Sequence, residues 1–266
     1  MSDAAFREAQ LALFASSVLK QAKWNALREA AGDTSDLDAL DLGADNGVIS
    51  WLFRSQGGRW TSADLTDQTV EAIRRMVEDR VVRLTGPQLP FEDEAFDLIV
   101  VVDLLEHLDD DRALLAEIGR CLRPGGRAVL NVPHLKPRAL LPRVRHAIGL
   151  TDEWHGHVHP GYTTEALEAM LPRSLRLVRA RTYSRTFAHT LDTALNAVFL
   201  RKSRGRAQST AKGMVVTGDA VGARDSRALQ RLVPAMRAFT ALDRLLPWSG
   251  YMLLAELSRV PSSTSR

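Results

Sequence analysis

Residues 37–47 read Leu-Asp-Ala-Leu-Asp-Leu-Gly-Ala-Asp-Asn-Gly, and this stretch decides the fold. Leu37–Leu42 is a short, apolar-rich run with the look of a strand. It runs directly into small and polar residues, Gly43, Ala44, Asp45, Asn46 and Gly47, and Val48–Gln56 then reads as a helix closed by Gly57 and Gly58. A loop of small residues between a first strand and a helix is where open α/β sheets take nucleotides. Glycine lets a ligand approach the backbone, and the helix N-terminus offers N–H groups without partners. A second strand, Trp60–Asp64, ends in a carboxylate 23 residues after Asp41. A carboxylate at about that distance can accept both hydroxyls of a ribose. The loop is not the dinucleotide fingerprint, because glycines would be needed where Asp45 and Val48 stand. No G-x-x-x-x-G-K-[ST] phosphate loop occurs either.

Outward from this unit, strands and helices keep alternating. Thr66 or Asp67 can cap a helix through Glu78. Val81–Leu84 is a third strand. Asp97–Val102 is an unbroken apolar run, as expected of a central parallel strand covered on both faces. Asp111–Leu122 is a helix ended by Pro124-Gly125-Gly126, and Ala128–Val132 is a fifth strand. Thr163 or Thr164 caps a helix to Leu171. Leu175–Tyr183 and Tyr251–Leu257 read as the last two strands. Ahead of the sheet, 4–31 reads as one amphipathic helix. Right-handed crossovers then give a doubly wound, mostly parallel sheet.

Four further segments follow in order: Leu89-Pro90-Phe91, Phe96-Asp97 entering the fourth strand, Asp103-Leu104-Leu105-Glu106-His107-Leu108, and Leu122-Arg123-Pro124-Gly125-Gly126. Together with the first loop they resemble the class I S-adenosylmethionine-dependent methyltransferases, in the type 11-like subgroup that acts on small molecules and lipids. The resemblance is close over 37–134 and looser through 155–171. It implies a Rossmann-like fold, α/β, with a seven-stranded sheet whose last strand is antiparallel and a helical insertion between strands six and seven. It implies S-adenosylmethionine as cofactor. Asp41 would orient the loop and the methionine amino group, and Gly43 through Gly47 would allow close approach. Asp64 would bind the ribose hydroxyls, with Leu65 against the adenine and Thr85, Gly86 and Pro87 along its border. Asp103 and Leu104 would line the methionine end. Two positions depart from the family pattern: Asp45 stands where a third glycine is usual, and Thr85 near where an acid is usual. They leave one rival reading, a silent module that holds cofactor or partner without turnover.

Methyl transfer needs orientation and water exclusion more than covalent help, since the sulfonium is already a good leaving group. A hydroxyl acceptor also needs a base. Histidines 107, 134, 155, 157 and 159 are the candidates. His107 follows the central strand and His157 precedes the helix before strand six, so these two are expected at the acceptor, with O-methylation favoured. His155, His157 and His159 alternate, but no cysteine cluster or H-E-x-x-H helix accompanies them, and no metal site is expected. Nucleic acid is not the expected partner. The Asn/Asp-Pro-Pro-aromatic motif of amino-methylating DNA enzymes is missing after strand four, and no basic-aromatic platform stands in for it.

The chain has 266 residues, 45% hydrophobic and 25% charged, enough for a self-supporting α/β core. The single cysteine, Cys121, excludes an internal disulfide and reads as a buried small hydrophobe. With no secretory signal and no run of 18 apolar residues, a cytoplasmic location is expected. Charge is uneven: 14 Lys+Arg face 23 Asp+Glu in residues 1–133, and 21 face 9 in 134–266. The expected organisation is an N-terminal helix in 1–36, a cofactor-binding core in 37–183, an insertion in 184–248, and a final strand with a disordered tail in 249–266. The insertion carries an apolar stripe, Phe187, Leu191, Leu195, Val198 and Phe199, followed by Arg201, Lys202, Arg204 and Arg206. An apolar stripe beside a basic cluster suits peripheral contact with an anionic membrane surface, although such stripes more often pack internally.

Overall fold

The computed structural model describes residues 1–136, 139–147, 157–191, 193, 194, 209, 210, 213, 214 and 223–261. Its centre is the apolar run seen in the sequence. Strand β4 (Phe96–Val102) lies between β1 (Asp38–Leu42) and β5 (Leu122–Pro133), parallel to both. Alternate residues feed opposite faces, as the pleat dictates. Leu40, Leu42, Ile99 and Val101 pack with Leu114, Leu115 and Ile118 of helix α5 (Asp111–Cys121). Ala39, Leu98 and Val100 pack on the other face with Leu27 of α2 (Val18–Ala31) and Phe53 of α3 (Val48–Arg54). Cys121 is fully buried on the α5 side, as expected of it.

Beyond β1 lie β2 (Arg59–Asp64) and β3 (Val81–Arg83), joined through α4 (Asp67–Val77). A capping box between Thr66 and Thr69 starts α4. After α6 (Leu140–Ala147) and α7 (Thr164–Met170), β6 (Leu175–Tyr183) forms the far edge. Strand β7 (Met252–Arg259) slots between β5 and β6, antiparallel to each. The seven-stranded order is therefore β3-β2-β1-β4-β5-β7-β6, the sheet expected from the sequence. The strand order reverses between β1 and β4, and the crevice at the carboxyl ends of such a pair is where open α/β sheets generally take ligands.

Three expectations need correction. The single helix over 4–31 is two helices, α1 (Asp3–Ala15) and α2. Ser16 bonds back to the Leu13 carbonyl and the Ser17 hydroxyl accepts the Lys20 amide, so consecutive serines offer the backbone local partners that end one helix and cap the next. Strand β5 starts at Leu122 rather than Ala128, because Leu122 already pairs with Phe96 before the register shifts. The Gly125-Gly126 turn lies inside this ladder. A Cβ on Gly126 would stand 2.8 Å from the Arg123 carbonyl oxygen. The helix read at 189–200 begins earlier, at residue 186; residues 195–200 and the basic cluster at 201–206 lie outside the described residues.

The insertion leaves β6 and returns to β7 through α8 (Ala223–Ala241) and a 3-10 turn, Leu242–Leu245. A two-residue ribbon, Ser209–Thr210 with Gly213–Met214, lies between them in sequence. The base of the insertion is clamped. Asp243 accepts the backbone amides of Arg185, Phe187 and Ala188, and Trp248 donates its indole N–H to Thr186. Val233 and Met236 of α8 are buried, and Gln230 donates to the Ala12 carbonyl of α1. No helix among the described residues is long and apolar enough to cross a membrane.

Candidate functional site at the carboxyl ends of β1, β2 and β4

The loop after β1 is built from left-handed residues. Gly43, Asp45 and Gly47 have φ of 86°, 55° and 79°. Asp45, where a third glycine is usual, thus takes the conformation that aspartate tolerates better than most side chains. The reason for glycine at 47 lies in packing: a Cβ there would come 2.8 Å from the Cα of Ile73 in α4. Glycine at 47 therefore also lets α4 pack closely against the loop.

Two carboxylates brace the loop. Asp64, with no exposed surface, accepts the Asp45 amide at 3.1 Å and the Leu65 amide at 2.7 Å. Asp41 is equally buried and accepts the hydroxyls of Ser50 and Ser62, both at 3.2 Å. Burial pushes the Asp41 carboxyl up to about 6, against the pull of Arg54, 3.9 Å away, and of the two serines. Asn46 donates to Gln10 of α1 at 2.8 Å. Leu65 is half-buried against the core, Gly86 and Pro87 are half-buried, and Thr85 is exposed. Leu104 has no exposed surface and belongs to the core.

Asp103 turns the chain off β4 with φ 46° and anchors a polar chain. Lys23 of α2 forms an ion pair with it, Asn131 donates to it at 2.6 Å, and Tyr183 donates to Asn131 at 2.6 Å. Burial works against the Lys23 ammonium, but Asp103, with Glu106 and Asp45 behind it, holds its pKa above the ordinary lysine value. Burial likewise drives the Tyr183 hydroxyl well above its ordinary value.

Just beyond, the 3-10 turn Leu105–His107 meets the segment ahead of α7. The His107 and His157 rings lie edge to face at 5.0 Å, and buried Glu106 joins them. The fold thus brings together two histidines that 50 residues separate in the chain. His134 is elsewhere, at the end of β5, with Nδ1 against the Gly250 carbonyl at 2.8 Å. His159 faces Asp111 at 3.6 Å, and His155 lies outside the described residues.

A cleft of about 840 Å³ opens at the end of β5, lined by His134, Lys136, Leu140, Val144, Trp248 and Tyr251 among others. Its size suits a drug-sized apolar molecule. Lys136 lies 4.2 Å over the Tyr251 ring, and burial lowers its pKa.

Sequence reading missed Gln10, Lys23, Asn131 and Tyr183. Gln10 carried a signal, since it stands four residues after Phe6 and before Phe14 on the inward stripe of α1 and is buried. The other three depend on a pairing between α2, β4, β5 and β6 that no local pattern announces.

Residues 40–130 match the methyltransferase domain family. Among curated relatives, a demethylmenaquinone methyltransferase of Tropheryma whipplei is 30% identical over 118 residues, 43% of this chain and 49% of the relative. A ubiquinone biosynthesis O-methyltransferase of Aeromonas salmonicida is 27% identical over 108 residues, 38% of this chain and 45% of the relative. The chain thus spans about half the length of the curated relatives it matches. Among solved structures, an S-adenosylmethionine-dependent methyltransferase of Mesorhizobium loti superposes with a TM-score of 0.55 at 18% identity, covering 90% of this chain and 98% of the other. At that identity the likeness establishes the fold.

Proposed function

From the premise that residues 40–130 are a class I methyltransferase domain, we propose that the protein transfers a methyl group from S-adenosylmethionine to a small, lipid-like acceptor, on oxygen. The carrying observation is the loop of left-handed residues closed over Asp64 at the point where the sheet order reverses, inside the matched residues. Gly43, Ala44, Asp45, Asn46 and Gly47 with Asp41 form the cofactor cradle in this reading. Asp64 takes the ribose hydroxyls once the Asp45 amide yields, and Leu65 with 85–87 borders the adenine. Asp103 faces the methionine end, where its carboxylate suits a cationic amino group. The relatives named for demethylmenaquinone and ubiquinone biosynthesis support a lipid-like acceptor, as does the apolar cleft at the end of β5.

In the reaction the sulfonium–methyl bond breaks as the oxygen–methyl bond forms, and the acceptor hydroxyl loses its proton. His107 and His157 are the groups we assign to promoting that loss, directly or through what they bind. Incubation with isotopically labelled methyl donor and quinol or small-molecule extracts tests the proposal, with mass spectrometry of products. A labelled methyl ether supports it. Cofactor binding without any labelled product from any extract overturns it in favour of a silent module.

The insertion is the proposed docking element on an anionic membrane. Leu140, Val144 and Trp248 are exposed apolar side chains lining the cleft, Leu242 and Leu245 are exposed on the turn that closes the insertion, and each basic residue near an anionic leaflet adds about 1 kcal/mol. Co-sedimentation with anionic vesicles, weakened by salt and by serine at positions 201, 202, 204 and 206, is the expected result. Absence of binding to anionic and neutral vesicles alike refutes docking and turns the acceptor toward water-soluble metabolites.

A further inference from the structure

We infer that Glu106, His107 and His157 form a binding site for one divalent transition-metal ion, zinc foremost. The three side chains each offer one ligand atom, and all of these lie within 4.8 Å of one another. Around one ion with bonds near 2.1 Å, neighbouring ligands stand roughly 3–3.5 Å apart. Closure onto an ion therefore takes movements on the order of an ångström, within the reach of side-chain rotation. Two imidazole nitrogens and one carboxylate make the donor set of open zinc and iron(II) sites, which leave room for a further ligand.

The two pieces of chain that supply the donors are tied by their backbones. The Glu106 carbonyl accepts the Val158 amide at 2.9 Å and the His159 amide at 3.1 Å. Residues adjoining His157 are therefore fixed to the same peptide that carries Glu106, and the register of the donors does not depend on side-chain contacts alone. Asp111 fixes the segment from the other side by accepting the Tyr162 hydroxyl at 3.0 Å and facing His159. Such a second layer orients ligands and raises affinity. Glu106 is fully buried while both histidines retain some exposure, so the outer side of the ion is the side left open. Residue spacing carries no sign of the site, because its donors come from a two-residue pair and a single residue far downstream, with no repeated motif.

The role of the ion toward substrate rests on the proposed methyl transfer; the site itself does not. His107 is four residues past Asp103, on the 3-10 turn that follows it. An ion held there takes the acceptor's hydroxyl oxygen as its open ligand and lowers the pKa of that hydroxyl, as metals do for water. The hydroxyl proton then leaves to solvent and the oxygen keeps the electron pair that forms the new bond to methyl. In that case the histidines act through the ion, with their lone pairs committed to it.

The test uses the tag-free full chain, stripped with chelator and titrated with Zn2+ by calorimetry and with Co2+ by its visible absorption. One ion per chain is expected. His107→Ala and His157→Ala should each weaken binding by more than about tenfold, the lower end of the loss for removing even an outer partner, while His134→Ala binds as the wild type does. Both histidines are partly exposed, so these variants carry the test where Glu106→Gln fails to fold. No stoichiometric ion in the wild type overturns the site, as does unchanged affinity in both histidine variants. Metal binding without methyl transfer leaves the site standing and defeats only the proposed reaction; methyl transfer by a chain that binds no metal defeats only the site.

Discussion

Replacing Asp41 by asparagine isolates the cost of burying a charge beneath the loop. The carboxyl has no exposed surface, and burial lifts it from 3.8 to about 6. A rise of about two units at 1.36 kcal/mol each corresponds to about 3 kcal/mol. The folded chain holds this proton more tightly than the unfolded chain does. The stability it contributes is therefore complete below pH ~4 and is lost as pH rises to ~6. Asparagine has the same shape and stays neutral. Its oxygen accepts one serine hydroxyl and its amide donates to the other, while Arg54 keeps Ser62 at 2.8 Å and the Trp60 carbonyl at 3.1 Å. Asp41→Asn should thus be more stable than the wild type by about 1–3 kcal/mol near pH ~7.5 and no more stable near pH ~4. Urea unfolding followed by tryptophan fluorescence across that range measures the difference, in which all other titrating groups cancel. Parallel curves of stability against pH for the two proteins would refute the reasoning.

Three other outcomes are expected. Asp64→Ala should abolish S-adenosylhomocysteine binding by calorimetry; equal affinity in the variant removes Asp64 from the cofactor site. Gly47→Ala places a Cβ against the α4 backbone at φ 79°, and should cost about 2 kcal/mol or more in urea unfolding, from left-handed strain and overpacking together; a loss within error shows that α4 yields. Lys23→Met frees Asp103 from its ammonium, so the cationic amino group of S-adenosylhomocysteine should bind several-fold more tightly, and weaker binding would show that Asp103 does not receive it.

The sheet was legible because its signals are local. Leu98–Val102 has no polar residue, as suits a parallel strand covered on both faces; Thr66, Thr163 and the small residues of 43–47 punctuate the units around it. Helix limits at 15–18 were not legible, since Ser16 and Ser17 break a stripe whose apolar spacing continues on both sides. In the site, Asp41 and Asp64 announced themselves by ending strands. Their present partners did not: Ser50, Ser62 and the Asp45 amide reach them only after α3 folds back. Lys23 reads as an ordinary surface lysine until α2 is laid across the end of β4. His107 and His157 were suspected from their neighbours in the chain, whereas Glu106 stood in the Asp103–Leu108 motif with no role of its own.

The clamp at the base of the insertion has an architectural consequence. Because Asp243 grips the start of the helix at 186 and Trp248 grips Thr186, the two chain ends that enter and leave the sheet edge are held together independently of what lies between. Once such ends are joined, doubling the intervening length costs only about 0.6 kcal/mol in closure entropy. Residues 189–222, between the clamp and α8, are thereby an exchangeable cassette: segments of different length and surface chemistry can be traded at this position while β6, β7 and the crevice across the sheet keep their registers.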